Sequence, residues 1–299
     1  MCDTTFTFGQ RGSHFFQCPS AREYTRLPPK LSRLLASPQL QTIHHLTLGF
    51  EDSFILTYRS TTGTSHTESS GPLPAELLSF IHAPNRNIPQ LRCYLGPYNS
   101  SFFTHDSSSY LWQNLPPPFL SALEKNIKNG KWRDRPRIVA LGADANFILI
   151  TEKNTAVWDL PCYPHLRSLL EEKKKEGSGM REVQNVTLHP HRYACFLLHF
   201  KNGKLEFGNV PPHQVAGVNA LLEPLRKDSE EKGTAPWMAR RESSSSSSSS
   251  SSQVERPQRP SLLQQRAQLR REWGERTSEV EVRGNGVKLS FSLSVSLGG

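Results

Sequence analysis

Five positions recur along the chain at nearly even intervals, and this repeat limits the fold more than any other feature. Gly9, Gly49, Gly96, Gly142 and His189 each end a short apolar run, and successive ones lie 40, 47, 46 and 47 residues apart. Four to six mixed residues follow each one, and then comes a run led by aromatic or bulky apolar residues: His14-Phe15-Phe16, Phe54-Ile55-Leu56, Phe102-Phe103, Phe147-Ile148-Leu149-Ile150 and Phe196-Leu197-Leu198. A polar turn comes next. It is clearest at Lys201-Asn202-Gly203-Lys204, where Asn-Gly signals a tight hairpin. A third strand then carries an aromatic: Tyr24, Trp112, Trp158 or Phe207.

Each unit closes on an apolar residue before proline: Leu27-Pro28, Leu73-Pro74, Leu115-Pro116, Leu160-Pro161 and Val210-Pro211. Proline suits a helix start, because its missing N–H would be unpaired there anyway. Behind it the apolar residues fall on a helical stripe, as Leu31, Leu34 and Leu35 do in the first unit. The second unit departs from the pattern. Its third strand is missing or hidden in the polar run of residues 61–71, which reads as a surface loop.

A unit of three strands and one helix cannot bury its apolar face alone, so neighbours must stack. The expected fold is mainly β with short helices, built from five βββα-type repeats of about 47 residues. The units cover residues 5–42, 43–90, 91–137, 138–184 and 185–225, within a repeat domain of residues 1–225. A propeller-like ring protects the strand edges, with a helix in place of each outermost strand. An open solenoid is the alternative.

The order LG, F-[IF]-[LF], W, LP, L..LL resembles uncharacterised repeat proteins of filamentous fungi. More distantly it is similar to β-propellers of the regulator-of-chromosome-condensation and WD types, and Trp158-Asp159 reproduces the WD dipeptide. The resemblance covers roughly residues 5–225, implies a propeller-like fold and brings no catalytic residues with it.

Beyond Leu225 the periodicity stops. Overall apolar content is 35%, and most of the deficit falls in residues 226–299, where an unbroken serine run occupies 243–252. Such a segment buries too little apolar area to offset an ordering entropy of roughly 1–2 kcal/mol per residue, so a disordered tail is expected. Within it, residues 261–276 suggest a short solvated helix, or one that docks on a partner or nucleic acid. Residues 287–297 alternate like a strand, placed either on the edge of the repeat domain or unpaired.

The five cysteines are widely spaced and include no C-x-x-C pair, which disfavours a disulfide framework or zinc site and fits a reducing compartment. The first residues show no basic-then-apolar secretory pattern. No apolar run approaches the length of a membrane span. A cytoplasmic or nuclear location is expected, and the glycosylation-like matches at Asn99 and Asn185 are then fortuitous.

Chemistry-bearing clusters are sparse. His189, His191, Cys195 and His199 are the densest, and a Cys/His pair there offers a nucleophile or ligand set. Their positions in the repeat, a turn and the strand after it, favour a structural role. Glu51, Asp52, Asp144 and Glu152 fall at turns and are expected to face water. The best basic–aromatic patch is Lys125, Lys128, Lys131, Trp132, Arg133, Arg135 and Arg137, in an inter-repeat connection and expected to be exposed. With a net charge of +9, it is the candidate contact for an anionic or protein partner. No cofactor or metal is expected. The leading expectation is a non-enzymatic protein-interaction scaffold with an unidentified protein partner. A nucleic-acid- or chromatin-associated protein is second, and a Cys/His-dependent enzyme last.

Overall fold

The computed structural model describes residues 4–177 and 179–233, and the backbone of two further strands at 280–284 and 287–291. Contacts divide the chain into two units, Met1–Ser246 and Ser247–Gly299.

The first unit is mainly β and contains five three-stranded antiparallel sheets, each followed by a helix. The first sheet is β1 (Thr5–Phe8), β2 (His14–Gln17) and β3 (Arg22–Thr25), then α1 (Pro29–Leu35). The second is β4 (Leu40–Leu48), β5 (Phe54–Ser60) and β6 (Ser65–Ser70), then α2 (Ala75–Ile81). The third is β7 (Arg92–Leu95), β8 (Phe102–His105) and β9 (Tyr110–Gln113), then α3 (Pro117–Lys125). A small hairpin, β10 (Ile127–Lys128) and β11 (Lys131–Trp132), leads to the fourth sheet: β12 (Pro136–Leu141), β13 (Phe147–Thr151) and β14 (Ala156–Asp159). Helices α4 (Pro164–Lys175) and α5 (Gly179–Glu182) follow. The fifth sheet is β15 (Val183–Leu188), β16 (Phe196–Phe200) and β17 (Leu205–Gly208), then α6 (Pro212–Gly233).

The recurring glycines have a local explanation. In every unit the residue after the first strand donates its N–H to the carbonyl just before the second: Gly9 to Ser13, Gly49 to Ser53, Gly96 to Ser101, Gly142 to Asn146 and His189 to Cys195, all at 2.8–3.0 Å. Gly9 and Gly96 have φ of −111° and −88°, which any residue adopts. The requirement is steric. A Cβ at Gly9 or Gly96 would run into the hydroxyl of Ser13 or Ser101, and one at Gly142 would lie 2.8 Å from the Tyr163 hydroxyl. The fifth unit has a longer turn, and His189 fits there.

Aromatics Tyr24, Trp112, Trp158 and Phe207 all lie on third strands, as the repeat predicts. The second unit corrects the sequence reading. Residues 65–70 are not a loop but form β6, paired with β5 from Phe54↔Ser70 to Arg59↔Ser65. An outer strand facing solvent needs no apolar alternation, so its ladder bonds leave no hydrophobic signature.

The closing prolines mostly behave as expected. Pro28, Pro74 and Pro116 cap α1, α2 and α3 with φ of −51°, −55° and −53°. Pro161 does not, because α4 begins at Pro164 with Tyr163 before it. Helix α6 continues to Gly233, past the expected end of the repeat domain at Leu225.

Five apolar cores lie between successive sheets, each covered by one helix except the fourth, which α4 and α5 cover together. Phe15 and Leu31 meet Ile43, Leu46 and Phe54 between the first and second sheets. Ile55, Leu77 and Phe80 meet Cys93 and Phe102 between the second and third. Phe103 and Phe119 meet Val139 and Phe147 between the third and fourth. Ile148, Ile150 and Leu166 meet Val186 and Phe196 between the fourth and fifth. Between the fifth and first, Cys195 and Leu197 of β16's sheet meet Phe6, Phe8 and Phe16 under Val218, Leu221 and Leu225 of α6. Helix α6 is tied to the first sheet by Gln214 Nε2 donating to Gly12 O at 3.0 Å, and by Asp228 Oδ2 accepting from Ser20 N at 3.3 Å.

The second unit contributes an antiparallel hairpin, β18 (Val280–Gly284) and β19 (Val287–Phe291), in register from Val280↔Phe291 to Gly284↔Val287. The expected strand thus pairs with the segment before it. The rest of 292–297, the expected helix at 261–276 and the serine run lie outside the described residues. Among the described residues no helix is long and apolar enough to cross a membrane.

Candidate functional site

A three-stranded sheet has two open edges, and the first strand of each unit turns one of them toward the other units. These strands neighbour one another in the order β1, β4, β7, β12, β15 and back to β1. Exposed strand edges attract other chains, and here polar side chains of adjacent units blunt them. Thr187 Oγ1 donates to Phe6 O at 3.3 Å, and Thr7 Oγ1 accepts from Leu48 N at 3.0 Å. Thr47 Oγ1 and His45 Nε2 converge on Cys93 O at 2.5 and 2.9 Å. Arg137 Nη1 donates to Val183 O at 2.7 Å.

Residues of all five first strands line a cavity of about 370 Å³. Its two ends differ. Where the first strands begin, Arg92, His45, His105, Gln90 and Lys201 line the wall, and the described lining contains no Asp or Glu. Burial pushes His45 down to about 3 and His105 down to about 4, and in each case the Arg92 cation adds to the effect. Both imidazoles are therefore neutral at pH 7.

The other end is the turn face, built by the residues that follow each first strand. Phe50, Tyr98 and His191, from the second, third and fifth units, form one aromatic group with ring centroids 5.0–5.8 Å apart. Tyr98 is 67% exposed and Tyr193 is 54% exposed. Tyr193 donates its hydroxyl to Asp144 Oδ2 at 2.7 Å, joining the fourth and fifth turns. Beneath this surface, Asn99 is buried and linked three ways: Oδ1 accepts from Phe50 N at 3.0 Å, while Nδ2 donates to Ser53 Oγ and Pro72 O at 2.9 and 2.8 Å. Tyr163 does similar work further round, accepting from Ala143 N and donating to His189 O at 3.2 and 3.0 Å.

The sequence-derived basic patch is split. Lys125, Lys128, Lys131, Arg133 and Arg135 are exposed around the β10–β11 hairpin. Trp132 is half-buried against Tyr110 and Trp112 and belongs to the core between the third and fourth sheets. Arg137 is not on that surface. It sits on β12, lines the cavity and is engaged with Val183 O, Met180 O and Asn154 Oδ1.

Cys195 is fully buried, and burial holds its thiol up at about 12. His189 stacks on Phe8 at 5.0 Å and accepts at Nδ1 from His191 N, and burial drives it down to about 3. Among the described residues, no group of three or more His, Cys, Asp or Glu is placed to hold a metal ion. Glu51, Asp52, Asp144 and Glu152 are exposed, as expected.

Sequence reasoning passed over Phe50, Tyr98 and Arg92, and met Asn99 only as a glycosylation-like match. Phe50, Tyr98 and Asn99 occupy the turn after a recurring glycine, where the units differ most, and that variability inside a constant frame was the available signal. No known protein-family model, curated protein or solved structure matches the chain.

Proposed function

We propose that the five units close into a propeller-like ring and that the protein is a non-enzymatic interaction scaffold, binding a protein partner through its turn face. The aromatic group Phe50–Tyr98–His191, drawn from three units with Tyr98 exposed on half-buried Phe50 and His191, is the observation that carries this reading. Exposed tyrosines offer large contact area at low entropic cost, and aromatic residues are enriched at protein interfaces. The order of strand neighbours and the five inter-sheet cores, the last joining fifth sheet to first, support the ring. The buried, unpaired thiols of Cys18, Cys93 and Cys195 support a reducing compartment, cytoplasm or nucleus.

The test is comparative capture by chemical crosslinking. Wild-type protein and a Tyr98→Ser/Tyr193→Ser variant are set beside a variant with Lys128, Lys131 and Arg133 changed to Gln. Loss of the same proteins from the tyrosine variant alone supports the turn face. Capture unchanged in the tyrosine variant sinks it.

The exposed cations around β10–β11 favour a second reading, nucleic-acid association. It requires that the Gln variant lose affinity alike across sequences and show a shallower salt dependence.

A further inference from the structure

The end of the cavity opposite the turn face has an unusual charge balance. Arg92 is half-buried on β7, and among the described residues only its Nη1 is engaged, donating to Pro89 O at 2.9 Å and Leu91 O at 3.0 Å. These two bonds hold the guanidinium in place. Its Nε and Nη2 have no hydrogen-bond partner among the described residues, and no described carboxylate lies within ion-pair distance. The acid nearest in the chain that is also buried, Asp106, is already used: it pairs with Arg86 at 3.2 Å and accepts from the N–H groups of Ser108 and Ser109. Arg137, the other half-buried cation on this wall, has its donors occupied by carbonyl oxygens and Asn154, so it adds charge but little bonding capacity.

Two neutral imidazoles accompany Arg92. His45 is fixed on Cys93 O, and His105 is stacked against Tyr110 at 5.4 Å. His105 Nδ1 is buried with no hydrogen-bond partner among the described residues. A half-buried cation without a counter-charge is costly, and so is a buried polar atom without a hydrogen bond. A ligand in the cavity can supply the counter-charge that Arg92 lacks. An oxyanion laid along the Nε/Nη2 edge of a guanidinium makes the paired, parallel hydrogen bonds that arginine favours. A neutral imidazole adds a donor without needing a proton from solvent.

We propose that this end of the cavity binds a small free oxyanion, phosphate in the first instance, on the Nε/Nη2 edge of Arg92 with His105 beside it. Gln90 and Lys201 also line the cavity, and its volume falls in the range of small-ligand sites. The site is separate from the turn face, so the proposal stands whether or not the scaffold reading does.

The test is a histidine NMR titration of the full chain with inorganic phosphate, acetate and chloride at matched ionic strength. Saturable shifts of His45 and His105 with phosphate are expected, and Arg92→Gln is expected to weaken binding at least tenfold. A Lys128→Gln/Arg133→Gln variant is expected to bind as wild type does. Saturation with acetate in place of phosphate supports the oxyanion site and assigns it to a carboxylate. Shifts that follow ionic strength alike in all three salts overturn the proposal, as does unchanged affinity in a folded Arg92→Gln chain. A measurement on the unaltered protein guards against misfolding of the variant: phosphate should protect Arg92, and not Arg133, from phenylglyoxal, and equal labelling with and without phosphate counts against the site.

Discussion

The two ends of the cavity are made from the same repeated strands, yet they are finished in opposite ways. At the turn face, Asn99 and Tyr163 link units with all their polar side-chain atoms engaged, and Tyr98 and Tyr193 are exposed on the outer surface. At the other end a cation, Arg92, leaves Nε and Nη2 without a partner among the described residues, beside neutral histidines. The N–H bond that closes the turn after each first strand recurs in all five units, although the third and fifth turns are longer. What distinguishes the ends is the small set of residues that do not recur. In a repeat protein, recurring residues explain the fold, and residues that break the recurrence are where binding should be sought.

The largest expected effect is acid unfolding, and it weighs on the histidine-rich interior. His45 and His189 are driven down to about 3, and His14, His105 and His199 to about 4, in each case chiefly by burial. A free histidine titrates near 6.5. Below that pH the unfolded chain takes up protons that the folded chain refuses, so stability is complete above about pH 6.5 and falls as pH drops toward 4. Each such group contributes a slope of up to about 1.4 kcal/mol per pH unit. Several acting together rival the roughly 5–15 kcal/mol stability of a typical domain. Thermal melts between pH 7.5 and 4.5 should show a steep fall in Tm below 6.5. A flat profile would mean these imidazoles are reached by water. His45→Gln should make the fall shallower and so locate part of it at the Arg92 end.

Next in size is the loss of a cross-unit tie. Asn99→Ala removes the acceptor for Phe50 N and the donors to Ser53 Oγ and Pro72 O. Leaving such buried groups unpaired costs about 1–3 kcal/mol. Denaturant unfolding measures the loss, and slower or weaker partner capture should accompany it, because Phe50 and Tyr98 flank the site. A change below about 0.5 kcal/mol would show that the turns are held by packing alone.

Two glycines sharpen the same contrast between the ends. Gly71 and Gly63 have nearly equal φ, +84° and +85°, so alanine is strained equally at both. Only at Gly71 would the new Cβ lie 2.6 Å from the backbone Cα of Ser53, under the turn face. At Gly63 the nearest atom is the flexible end of Arg59, 3.6 Å away. Gly63→Ala should cost on the order of 1 kcal/mol, the strain alone. Gly71→Ala should cost clearly more, and equal losses in paired melts would mean the Ser53 segment yields freely.

How far the sequence alone reaches follows from the same division. The repeat order, the aromatic of the third strand and the Leu-Pro closures were legible because each recurs, and recurrence separates signal from chance. Strand β6 was not, because Ser65–Ser70 is held by ladder bonds that leave no apolar pattern. The β18–β19 hairpin was half legible: the alternation from Val287 was read, while Val280 and Val282 across the Asn285-Gly286 pair were passed over. Arg137 was misplaced in the basic patch because spacing in sequence does not say that Pro136 already begins an inner strand. Arg92 was invisible for a different reason. Its interest lies in having no carboxylate beside it among the described residues, and only three-dimensional neighbours reveal that.

The smallest expected effects on stability test the functional contrast most directly. Tyr98→Ser and Tyr193→Ser remove exposed groups, and Arg92→Gln removes a cation held by two carbonyl bonds. Each should shift unfolding by no more than about 0.5–1 kcal/mol. Their binding effects should separate cleanly: the tyrosine variant loses crosslinked partners and keeps phosphate, and Arg92→Gln does the reverse. If either substitution abolished both, the two ends would be coupled through the five strands between them, and one ligand would regulate the other. Coupling of that kind is reciprocal, so phosphate would then change partner affinity by the same factor that the partner changes phosphate affinity.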